Sequence, residues 1–220
     1  MTRREFILDE LAHHLPFSIG SVVASLGFVG LLTWIGLGHE RLHDVFHFFH
    51  PVHLLISAAA TSAMFWRHDR RWKQAIVIVV LATIPLCSAS DILLPYLGGK
   101  WMGREMEPLH ICLIEDPLLV WPFIFLGVGC GILAERYVTR STFYSHTAHV
   151  LVAGVASTLY FTGFGEGEWT KLIGWLLLLL IVCVMIPCVL HDIVIPLVFA
   201  AKTPHVHLEG EHVEGEGPDV

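Results

Sequence analysis

Residues 50–61 read HPVHLLISAAAT, and 96 residues later the chain repeats itself: residues 146–157 read HTAHVLVAGVAS. A second echo follows each copy. Ile84-Pro85 leads to Ser90-Asp91-Ile-Leu-Leu-Pro95, and Ile186-Pro187 leads to His191-Asp192-Ile-Val-Ile-Pro196. Apolar helices resemble one another by composition, so matched Leu, Ile and Val carry little weight. Matched His, Asp and Pro in the same order are another matter, because duplicated halves in an apolar chain mark transporter architecture.

The surrounding sequence sets the class. Of the 220 residues, 55% are hydrophobic and only 15% charged, against about 25% charged in soluble domains. Apolar runs of the roughly 20 residues needed to span a bilayer recur along the chain. Six spans are predicted, at about 17–38, 50–66, 74–97, 109–134, 144–164 and 170–200. The fold class is therefore an all-α integral membrane protein, with one membrane domain over 1–201 and a Gly-, Glu- and His-rich tail over 202–220. Residues 1–14 are charged and mildly amphipathic and do not read as a cleavable signal. The expected location is a prokaryotic cytoplasmic membrane.

Charge orients the spans. With the N-terminus inside, Arg3, Arg4, Arg67, Arg70, Arg71, Lys73, Arg136, Arg140 and Lys202 fall on the cytoplasmic side, and Arg41, Lys100, Arg104 and Lys171 on the other. That bias predicts N-in and C-in. Six spans divide into three plus three, and an odd number per half turns the second half over. The chain reads as two inverted repeats, about 14–100 and 110–200.

The repeated residues are metal-binding types. An HxxH pair puts two imidazoles on one helix face, a usual way to offer two ligands to a metal. Each half thus supplies two histidines and an aspartate: His50, His53 and Asp91 in one, His146, His149 and Asp192 in the other, with His191 beside Asp192. His110 and Glu115 open the fourth span and join the expected set. Ionisable groups inside a membrane are costly and by default functional. Pro85 and Pro95 bracket Asp91, and Pro187 and Pro196 bracket Asp192. Each interior proline leaves a backbone carbonyl without its helical partner, which suits either cation passage or a plain packing kink. His39, His43 and His47, spaced by four, continue the face of His50 and predict an outer vestibule. Asp116, before Pro117, reads equally as a helix cap. The five cysteines lack CxxC spacing and read as reduced core residues.

The function expected from this pattern is a transporter or channel for a divalent transition metal, with zinc, iron, nickel and manganese all open. A membrane metalloenzyme is the alternative, because His39-Glu-Arg-Leu-His43 satisfies HExxH and Asp91 could be its third ligand. A b-type haem protein comes third. The expected partners are the metal ion and the lipid bilayer, with a homo-oligomer compatible. No phosphate loop, dinucleotide fingerprint or nucleic-acid patch is present, and the basic run 67–73 reads as a topology determinant.

Overall fold

The computed structural model describes the backbone of residues 3–135 and 142–195, and their side chains except those of residues 3–15, 68, 142–146, 192 and 193. The described residues form helices joined by loops, with no strand among them. They form α1 (Arg3–Trp34), α2 (His39–His68), α3 (Trp72–Ser88), a π-helical turn (Ala89–Leu93), α4 (Leu94–Trp101), the single turn α5 (Cys112–Glu115), α6 (Pro117–Leu133), α7 (Thr142–Gly163), a 3₁₀ turn (Trp169–Leu172), α8 (Ile173–Val189) and a second π-helical turn (Leu190–Val194). Four segments, Pro16–Trp34, His39–Arg67, Trp72–Trp101 and Trp169–Val189, are long and apolar enough to cross a membrane, and Pro117–Leu133 is a shorter apolar helix.

Two boundaries depart from the sequence reading. The second helix starts at His39, not His50. Gly36, with φ 94°, ends the preceding turn, and extended Gly38 opens the helix. Pro51 lies in its interior, where its missing N–H costs one backbone bond without ending the helix. His50 and His53 therefore sit at mid-helix and not at an end. The fourth segment is broken. Asp116 adopts φ −128° and ψ 58° because a residue before proline is pushed out of the helical region, so Pro117 starts a fresh helix.

Between helices in lipid there is no water to expel, and association rests on close packing and hydrogen bonds. Small residues supply both here. A side chain on Gly127 or Gly131 would collide with the α2 backbone, and one on Gly154 would meet Ser25. The contacts of α2 run along α6 and α7, and those of α7 run along α1. Ser25 Oγ donates to the Leu151 carbonyl at 2.9 Å. The outer surface of the helices carries large apolar side chains, with Leu81, Leu118 and Leu133 exposed, as a bilayer would require. Trp34, Trp101 and Trp175 stand exposed at helix ends, the position of an interfacial aromatic belt.

One end of the bundle is closed by two loops. Met106 bridges Gly165 in antiparallel fashion. Glu107 N–H donates to the Phe164 carbonyl, and Glu166 N–H to that of Glu105, both at 2.8 Å. Arg104 Nη2 donates to the Gly165 carbonyl at 2.5 Å, and its guanidinium lies 4.7 Å over the Phe161 ring. Burial lowers the Arg104 pKa from its ordinary value.

Candidate metal centre

At the middle of α2 the helix turns its histidines inward. His50 and His53 are buried at 1% and 0% exposure, as is Asp91 at 0%. Asp91 belongs to the first π-helical turn, whose wider ring buries Ser90, Asp91 and Ile92 together. Such turns recur at functional sites. Asp91 Oδ2 accepts from His50 Nδ1 at 2.8 Å and from His53 Nδ1 at 2.7 Å. Its Oδ1 accepts from Ser90 Oγ at 2.7 Å. Three donors suit an ionised carboxylate, which only accepts.

With its Nδ1 proton committed to Asp91, His53 points Nε2 at Nε2 of His149, 2.7 Å away. Cys188 Sγ completes a fully buried trio, with all three ligand atoms within 4.8 Å of one another. A carboxylate behind a ligating imidazole fixes its tautomer and ring orientation. Asp91 holds that place relative to His53. Two imidazoles and a thiol are a donor set for a borderline transition metal, so the cluster can hold such an ion. Cys87, Ser90 and His191 line a narrow crevice together with His149 and Cys188.

His191 lies next to this trio, its ring centroid 6.1 Å from that of His149. A hydroxyl cage holds it: Nδ1 is 3.0 Å from Ser57 Oγ and 2.8 Å from Thr61 Oγ1, and Nε2 is 2.8 Å from Thr83 Oγ1. The side chains of His146 and Asp192, and the tail histidines His205, His207 and His212, lie outside the described residues.

A second constellation sits at the loop-closed end. His47 Nε2 and His110 Nε2 are 3.1 Å apart, and each lies within 4 Å of Asp116 Oδ2. Cys112 shares the cluster. Glu115 Oε2 meets His110 Nδ1 at 2.6 Å. Phe164 packs among the three imidazoles, with ring centroids 4.3 Å from His43, 5.6 Å from His110 and 6.2 Å from His47. His39 Nε2 lies 4.0 Å from Glu107 Oε1.

The expected residues thus divide. His50, His53 and Asp91 come together, but bonded to one another, with His53 alone of the three reaching the His149–Cys188 group. His47 and His110 join at the other cluster, with Glu115 behind His110. The HExxH pair has no third ligand in Asp91: from His39 to His50 is 11 residues, about 16 Å of helix rise, and Asp91 is bonded at the far end of it. Cys112 and Cys188 were not expected as ligands. A signal for Cys188 exists, since Cys87-Ser-Ala-Ser-Asp91-Ile-Leu-Leu-Pro95 and Cys188-Val-Leu-His-Asp192-Ile-Val-Ile-Pro196 share their cysteine as well. Nothing comparable marks Cys112. No protein family, curated protein or solved structure matches the chain.

Proposed function

We propose that this chain transports a divalent transition-metal ion across a membrane, as two inverted three-helix halves with His53, His149 and Cys188 as the central site. One observation carries the reading. His53 and His149 match each other in the repeat, and they touch each other at 2.7 Å. Residues related by a two-fold axis can meet only close to that axis, so the site lies where the halves join. Inverted-repeat transporters place their ion sites at that junction.

Three further relationships support a pseudo-two-fold. Thr61 matches Ser157, and Ser90 matches His191. Thr61 Oγ1 donates to the His191 carbonyl at 3.1 Å, and Ser157 Oγ donates to the Ser90 carbonyl at 2.9 Å, so exchanging the halves turns one bond into the other. The π-helical turns start at Ala89 and Leu190, both in the register of the repeated aspartates. The packing of α2 on α6 is mirrored by that of α7 on α1.

In this mechanism the six apolar segments cross the membrane with the termini inside, as the charge bias favours. The ion descends the histidine face of α2, binds between the halves, and leaves when one half rocks against the other. The imidazole–thiol set favours zinc, iron or nickel over manganese. A metalloenzyme is the second reading, favoured by the complete burial of His53 and His149, which suits a resident ion.

Flux decides between them. Protein reconstituted in liposomes that enclose a metal-sensitive dye is expected to admit Zn²⁺ or Fe²⁺, and His53→Ala with His149→Ala to stop it. Flux that survives the double variant refutes the transport path. A stoichiometric ion that resists chelator, with no flux, selects the enzyme.

A further inference from the structure

We propose that His47, His110 and Asp116 form a second metal site at the loop-closed end, separate from the buried site, with Cys112 as a fourth donor. It takes a divalent transition metal of tetrahedral preference, with Zn²⁺ the type ion. The inference stands on its own geometry and needs neither the repeat nor transport.

The ring orientations and the ligand spacing carry it. His47 Nδ1 lies 3.0 Å from the backbone carbonyl of His43. A carbonyl only accepts, so that nitrogen bears the proton. His110 Nδ1 lies 2.6 Å from a carboxylate oxygen of Glu115, and Glu115 is half exposed, where a carboxylate is ionised at neutral pH. That nitrogen bears a proton too. With each Nδ1 turned to its own acceptor, the Nε2 atoms of the two rings face each other across 3.1 Å, and Nε2 is the atom each ring has left to offer a metal.

The spacing fits a metal. Two ligands at 2.0–2.1 Å from a tetrahedral zinc stand about 3.3 Å apart. The imidazole nitrogens are 3.1 Å apart, and Asp116 Oδ2 is 3.9 and 3.8 Å from them, so a small inward turn of the carboxylate closes the triangle. The buried pair, at 2.7 Å, has to part to admit an ion. Glu115 and the His43 carbonyl stand behind the ligating rings, the place of groups that orient ligands. His47 is 20% exposed, His110 15% and Asp116 48%, so this site is more open than the buried one. On α2, His47 precedes His53 by six residues, about 9 Å of rise.

The test is a Co²⁺ titration of the metal-stripped full-length protein in nanodiscs, read by visible ligand-field bands and bound stoichiometry. Wild type is expected to bind two Co²⁺ per chain. His149→Gln removes the buried site and is expected to keep one, with Cys188→Ser in its place if that variant does not fold by circular dichroism. His47→Gln with His110→Gln is expected to keep the other, and Asp116→Asn, the gentler change, to weaken the second site alone. Glu115→Gln, a positioning residue, is expected to weaken it by about 10–100-fold. A folded His149→Gln or Cys188→Ser protein that binds no Co²⁺ overturns the second site, and the buried site then stands if the His47/His110 variant still binds one. Wild type that binds none overturns both.

Discussion

His53 donates its Nδ1 proton to Asp91 Oδ2 at 2.7 Å, and neither side chain reaches solvent. That bond decides which nitrogen of His53 faces His149. It turns the Nε2 lone pair towards the place where an ion would bind, and it fixes the ring plane. Asp91 would contribute to an ion site through the ring and not by touching the ion.

The first prediction concerns this aspartate. Asp91→Asn keeps the shape but removes the charge, and its amide cannot accept at both oxygens. Partners behind ligating histidines are worth roughly 10–100-fold in metal affinity. Chelator competition on the stripped protein is expected to show a loss of that size at the buried site, with the His47–His110 site unmoved. Equal affinity in wild type and variant would mean that Asp91 does not orient His53.

The second concerns the exchanged hydroxyl bonds. Interhelical hydrogen bonds in membrane proteins average about 0.6 kcal/mol and reach about 1.7. Ser157→Ala removes the bond to the Ser90 carbonyl and is expected to cost an amount in that range. Thr61→Val removes the bond to the His191 carbonyl and also the contact with His191 Nδ1, so it falls at the upper end. Reversible unfolding in mixed micelles measures both. A large cost at one position and none at the other would show that the halves do not share the load as the two-fold implies.

What the sequence revealed, and what it hid, follows from how each feature is encoded. The helical class was legible because lipid-facing helices must be apolar along their length. Four of the repeated chemical residues, His50, His53, Asp91 and His149, were legible because polar groups in such helices have few reasons to exist, and they do converge. Their bonding was not. Whether a carboxylate touches an ion or the histidine behind it depends on a rotation of the helix, and here the π-helical turn supplies it. A proline one residue past a candidate start suits a first helical turn, so the span was begun at His50 although the histidine spacing already carried the helical face back to His39. Cysteines in apolar helices look like packing, so Cys112 and Cys188 stayed unmarked until the fold set them beside histidines.

The third prediction tests the packing that holds the centre together. Gly131 lies against Ser62 and the Ala59 carbonyl, where an added Cβ would collide with both. A backbone carbonyl cannot swing aside, so α6 must shift away from α2. Overpacking of this kind costs about 1–3 kcal/mol, and Gly131→Ala is expected to lose that in the same unfolding assay. Gly129, two residues earlier, has nothing within 4 Å of its added Cβ. Gly129→Ala is expected to be neutral or to gain up to about 1 kcal/mol from helix propensity. Similar behaviour at the two positions would deny the close α2–α6 approach.

The last prediction is the response to metal removal. An ion that binds only the folded state stabilises it by RT ln(1 + [L]/Kd), about 2.7 kcal/mol at a hundredfold excess over Kd. Unfolded His and Cys also bind metals weakly, so the observed gain falls below that ceiling. Saturating Zn²⁺ is expected to raise the unfolding temperature of the stripped protein, and excess chelator to reverse the rise. His149→Gln discriminates. It removes one ligand from the buried trio, so the part of the zinc response that belongs to the buried site should vanish when each protein is compared with its own apo form. If the variant responds to zinc as fully as wild type, the stabilising ion is held elsewhere and the His53–His149–Cys188 cluster is a hydrogen-bonded core.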